Sequence, residues 1–212
     1  MKRTLRLALA ILMVLSLVFL VACGGEEETA PEEEPEPGAV DPGEPQYGGE
    51  LTRAAIYGDA ESLDPHYVTR VAGIMHLMNI FDGLVYLSED GVEEPAVAES
   101  WDVSPDGLVY TFHLREGVVF HHGREVTAHD VKWSLERAMD PGMESPHMMR
   151  FESVVGANEY IAGEADEVTG LRVIDDYTIE MELVGVDNLF IRELTSIAGY
   201  ILPADEVERL GD

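Results

Sequence analysis

Three histidines, His121, His122 and His129, fall within nine positions of one another in the stretch VFHHGREVTAHDVKWSLERAMDP, residues 119–141. His113 and Glu116 stand just before them. Imidazoles and carboxylates are the donors a transition metal takes, so the chemistry these residues could do is that of a secreted metal-dependent hydrolase. Such an enzyme would ideally carry H-E-x-x-H, which sets both imidazoles on one face of a helix. The chain has no such motif, no G-x-S-x-G elbow and no nucleotide-binding glycine loop. The expectation is therefore no enzymatic activity and no cofactor. Histidines this close can still collect a stray transition ion.

The elements that would position these residues follow a distinctive start. Lys2, Arg3 and Arg6 precede an apolar run from Leu7 to Val21, broken only by Ser16. A spanning helix needs roughly 20 apolar residues, so this run reads as an export signal over residues 1–22 rather than as an uncleaved anchor. Leu20-Val21-Ala22-Cys23 resembles a lipobox, in which small residues admit the peptidase and the Cys23 thiol accepts a diacylglyceryl group. Cys23 is the only cysteine, so no intrachain disulfide can form, and lipidation is its simplest use.

Residues 23–46 are rich in Pro, Gly and Glu, with no basic side chain. Such a segment buries too little apolar surface to offset its ordering entropy, so it is expected to be a disordered, extended tether. An acidic interaction tail is the other reading. The formal charge of −29 becomes −32 once the three basic residues of the signal are removed. From Leu51 onward there are 32 acidic against 10 basic residues, which excludes a nucleic-acid face and disfavours anionic head groups.

The remaining body is long enough for a real core. Residues 48–56 alternate like a strand, and 61–70 read as a loop turning at Asp64-Pro65. Apolar residues at 74, 77, 78 and 81 predict a helix over 72–84. Residues 98–120 predict strand, turn and strand about SPDG, with Leu108, Tyr110, Phe112 and Leu114 on one face. Thr127 and Asp130 form a capping-box-like start to a helix whose core face is Val131, Leu135 and Ala138, and which ends at Asp140-Pro141-Gly142. A glycine-weakened helix over 152–164, a hairpin over 169–183 turning at Asp175-Asp176, and a helix over 187–196 with Asp187 as a possible cap complete a mixed α/β body.

Residues 95–141, PAVAESWDVSPDGLVYTFHLREGVVFHHGREVTAHDVKWSLERAMDP, closely resemble the signature region of the family 5 extracellular solute-binding proteins, the peptide- and nickel-binding components of ABC importers. LDPH at 63–66, IFDGLV at 80–85, GLRVIDDYTIEMEL and the final YILPADEVERLGD match the same family in order and spacing. The resemblance implies an α/β fold of the type II periplasmic-binding-protein kind, closing on ligand about a hinge. It places the start of lobe I at 47–81, an extra α/β subdomain of lobe I at 82–201 and a return into lobe I at 202–212. It also implies that only the first part of lobe I is present. In this frame the histidine-rich stretch is a fold marker in the subdomain, away from the cleft.

The resemblance implies capture of di- or oligopeptides for the transmembrane permease subunits of an ABC importer, by a monomer held to the membrane through the Cys23 lipid. A nickel chelate, haem or an oligosaccharide is the alternative ligand on the same fold, and a purely structural surface lipoprotein is a further alternative. Thr69, Arg70 and Val71 correspond to a loop lying along the bound peptide. An extended peptide has an unpaired donor and acceptor at every residue, so backbone-lined clefts suit it. Arg70 could pair with a ligand carboxylate or simply be an exposed surface arginine. His147, in ESPHMM, stands where peptide-binding members often place a ligand-reaching tyrosine; otherwise it is a loop histidine on an acidic surface.

Overall fold

Alternation along Tyr110, Phe112 and Leu114 builds the centre of the structure, because it puts three large side chains on one face of one strand. The computed structural model describes residues 48–50 and 58–211. The expected signal, Cys23, the tether and most of the strand expected over 48–56 lie outside the described residues. The chain divides into Met1–Thr52 and Arg53–Asp212, and the following concerns the second unit.

After helix α1 (Val71–Leu77) come strands β1 (Val85–Leu87), β2 (Glu93–Pro95), β3 (Ala98–Val103) and β4 (Val109–Leu114), then helices α2 (Ala128–Met139) and α3 (Ala157–Ile161). Strands β5 (Leu171–Asp175) and β6 (Thr178–Glu182) and helices α4 (Phe190–Leu194) and α5 (Ala204–Leu210) complete the order. Strands β1 and β2 pair as a small hairpin, and the others form an antiparallel sheet in the order β3-β4-β6-β5. Tyr110 pairs with Met181 and Phe112 with Ile179, while Leu171 and Val173 extend the same rows from β5. That face is buried against α2, whose Val131, Leu135, Ala138 and Met139 are hidden. The opposite face is polar: His113 pairs with Asp102, and Arg172 bridges Glu180 and Glu182.

The start of α2 is secured as its sequence predicts. The Asp130 carboxylate accepts from the Thr127 amide at 2.9 Å and the Thr127 hydroxyl at 3.0 Å. The buried Asp130 also takes two hydrogen bonds from Arg124, which reaches on to Asp205 of α5 at 2.6 Å. The β3–β4 turn uses Gly107 at φ +74°, a left-handed conformation open to glycine at little steric cost.

Three expectations are corrected. The helix expected over 72–84 stops at Leu77, leaving Met78 64% exposed. The cause is non-local: Gly83 bridges Tyr200, and a Cβ on Gly83 would lie 3.0 Å from the Gly199 carbonyl oxygen, so this stretch leaves the helix to run close beside that segment. The helix expected over 152–164 shrinks to α3 because Val154 bridges Leu183 and Gly156, at φ +82°, turns the chain first. Asp187 does not cap α4 directly. Its carboxylate accepts from the Leu189 amide at 2.9 Å, forming a turn ahead of the helix.

Candidate ligand-binding segment

The loop before α1 owes its shape to Asp64 and Pro65. The Asp64 amide donates to Ser62 Oγ at 2.9 Å, its carboxylate accepts from the His66 amide at 2.9 Å, and its carbonyl accepts from the Tyr67 amide at 3.2 Å. Asparagine-type turns of this kind let a side chain stand in for a backbone acceptor. The same carboxylate takes two bonds from Arg137, at 3.1 and 2.8 Å, in the last turn of α2. Burial would raise the Asp64 carboxyl, but the Arg137 and His66 hydrogen bonds outweigh it and hold it below the usual carboxylate range.

His66 is completely buried beside this pair, with Nδ1 3.0 Å from Arg137 Nη1. A guanidinium only donates, so Nδ1 accepts and the ring proton sits on Nε2. Burial, followed by the Arg137 charge, lowers the imidazole to about 4, so it is neutral at neutral pH.

The far side of the loop is clipped from below. Ser145 Oγ donates to the His66 carbonyl at 2.7 Å and accepts from the His147 amide at 3.1 Å. His147 Nε2 donates to the Val68 carbonyl at 2.7 Å. Two alternate carbonyls of one loop are thus held by two alternate residues of another.

Thr69, Arg70 and Val71 follow directly, and all three are exposed. Arg70 is extended, at φ −91° and ψ 143°. Glu61 lies across them. Its Oε1 accepts from the Thr69 amide at 2.6 Å, the Arg70 amide at 3.0 Å and the Thr69 hydroxyl at 3.3 Å, while Oε2 pairs with Arg70 Nε at 3.0 Å.

The structure therefore brings all four sequence-expected binding residues into one neighbourhood, but on different levels. Thr69, Arg70 and Val71 form the exposed rim, whereas His147 is only 8% exposed and sits beneath Val68. His147 also borders a shallow depression of about 410 Å³ with Pro146, Met149, Arg150 and Glu193. Sequence reasoning passed over Glu61, His66, Arg137 and Ser145. The Asp64-Pro65 turn pointed at the loop, but Arg137 meets Asp64 across 73 positions and no local pattern announces it.

The histidines that suggested chemistry are not gathered into one site. His113 faces Asp102, His129 is exposed in the first turn of α2, and His121 and His122 occupy an exposed turn. Among the described residues, His122, Asp205 and Glu206 do come within 4.8 Å of one another. Arg124 and Arg209 already hold those two carboxylates. Among the described residues no helix is long and apolar enough to cross a membrane.

Comparison with known proteins supplies the context for this loop. Residues 93–209 match the model of the bacterial extracellular solute-binding proteins, family 5, middle region. The periplasmic oligopeptide-binding protein OppA of Escherichia coli is 32% identical over 157 residues, which is 73% of this chain and 29% of that protein. The probable deoxycholate-binding periplasmic protein YgiS of Escherichia coli is 33% identical over 130 residues, 60% of this chain and 24% of its own. The crystal structure of Haemophilus influenzae OppA in complex with RPPGFSPFR superposes with a TM-score of 0.69 at 31% identity, covering 74% of this chain and 31% of that one. This chain thus spans about a third or less of the length of these relatives, and over that span its architecture is theirs, part of a type II periplasmic-binding-protein fold. The chain belongs to the bacterial extracellular solute-binding proteins of family 5.

Proposed function

We propose that this chain contributes the first part of lobe I to a lipid-anchored binding protein that captures peptides and delivers them to the permease subunits of an ABC importer. In this reading lobe I begins at 47–81, the α/β subdomain occupies 82–201, and 202–212 re-enter lobe I. The observation that carries the proposal is the exposed rim at Thr69–Val71, extended at Arg70, which follows a loop whose His66 and Val68 carbonyls are held by Ser145 and His147. A fixed edge offers the backbone groups that Glu61 leaves open to an extended peptide, which binds by main-chain hydrogen bonds with little regard to sequence. The name of the Escherichia coli oligopeptide-binding relative favours this ligand class. His147 serves here by positioning Val68, and Thr69, Arg70 and Val71 meet the ligand.

Calorimetric titration of the full-length protein with a mixture of short peptides tests the reading. Heat saturating at one ligand per protein is expected. Binding of a nickel chelate, haem or an oligosaccharide with none of peptides would replace it. Metabolic labelling with a fatty acid should tag Cys23, and labelling that persists in Cys23→Ser would remove the lipid anchor from the proposal.

A further inference from the structure

We infer that Glu61 is a specificity-determining residue, an internal carboxylate that already occupies the donors of the binding rim and selects against acidic ligands there. The inference rests on the peptide-binding reading above. Glu61 uses both carboxylate oxygens, against two consecutive amides, one hydroxyl and one guanidinium. The amides of Thr69 and Arg70 precede α1, so they are loop donors that an arriving chain would otherwise find open. The only cationic side chain of the rim, Arg70, is 78% exposed yet its charge is answered by Glu61.

Two consequences follow for a ligand lying along Thr69–Val71. A ligand carboxylate would have to displace Glu61 from four partners, and until it did so it would face a like charge. A neutral or basic side chain meets no such cost. Hydrogen bonds from the Thr69 and then the Arg70 amide hold the Glu61 carboxyl below its usual range, so the plug stays charged throughout neutral pH. The ligand class assigned to this position is thus peptides with neutral or basic side chains.

The test is titration of the full-length protein with Ala-Ala-Ala, Ala-Glu-Ala and Ala-Lys-Ala. Wild type should prefer the lysine peptide to the glutamate peptide. Glu61→Gln frees the Arg70 charge and should shift that ratio roughly fivefold toward the glutamate peptide, the scale of an exposed ion pair. Arg70→Gln, which leaves the Glu61 carboxylate on its two amides, should shift the ratio the other way. An unchanged ratio in both variants, with Ala-Ala-Ala still bound, overturns the inference. If wild type binds none of the three peptides, the peptide reading itself fails, which is a separate result.

Discussion

Burying a neutral imidazole makes stability depend on pH, and His66 allows that dependence to be isolated. In the unfolded chain its ring takes a proton near its ordinary value of 6.5, whereas in the folded protein it resists until about 4. The unfolded state therefore binds more protons between these values, and stability falls as pH drops through that window. The contribution is fully present above pH 6.5 and is lost progressively toward pH 4. From these two values the loss attributable to this one ring is about 2–3 kcal/mol at pH 4.5. The groups facing the ring are Asp64, Arg137 and His147. Other titrating groups also move stability, so the informative quantity is the difference between wild type and His66→Asn. Asparagine keeps an acceptor for Arg137 and does not titrate. Urea unfolding followed by the fluorescence of Trp101 and Trp133 at pH 7.5, 6.0 and 4.5 gives that difference. The wild type should lose about 2–3 kcal/mol more than the variant between the extremes. Parallel loss in the two proteins would show that His66 is solvated or already charged, and the account of the buried network would fail.

Arg137→Met removes one half of a mostly buried pair and strands Asp64. We expect a loss of about 2–4 kcal/mol at pH 7, at or below the usual range for a broken buried pair because a quarter of the Asp64 side chain remains exposed. The deficit should shrink as pH falls and Asp64 protonates, and a constant deficit in urea melts would contradict this. His147→Ala leaves the Val68 carbonyl without its donor, at a cost of about 1–3 kcal/mol in the same melts. His147→Gln, which can donate again, should recover part of it. Phe112→Ala empties the centre of the sheet face and should cost about 3–5 kcal/mol, and a loss under about 1 kcal/mol would mean that the face is not packed as described.

What was legible in the sequence was whatever is decided within a few residues. Tyr110, Phe112 and Leu114 announce a half-buried strand through alternation, and Thr127 with Asp130 announces a helix start through spacing. The family resemblance supplied the architecture and pointed to the Thr69–Val71 loop. What stayed hidden was set by partners far along the chain. His147 is fixed by a carbonyl 79 positions away, which buries a side chain that the resemblance placed at the ligand. The α1 helix ends early because Gly83 is needed beside Tyr200, although the apolar spacing through Phe81 argued for continuation. Glu61 was invisible for another reason: its partners are mainly backbone amides, and no side-chain pattern encodes an amide that happens to be free.

The clip between Ser145, His147 and the carbonyls of His66 and Val68 has a consequence for cooperativity. Segments without regular structure usually open on their own, and their amides exchange with solvent far sooner than those of a core helix. This one is riveted to the end of α2 by Asp64 and to the 145–147 turn by two carbonyls, so it can open only together with them. Its amides should therefore exchange on the timescale of α2. A ligand arriving at such a surface finds the ordering entropy already spent during folding, and association need not slow for the loop to find its shape.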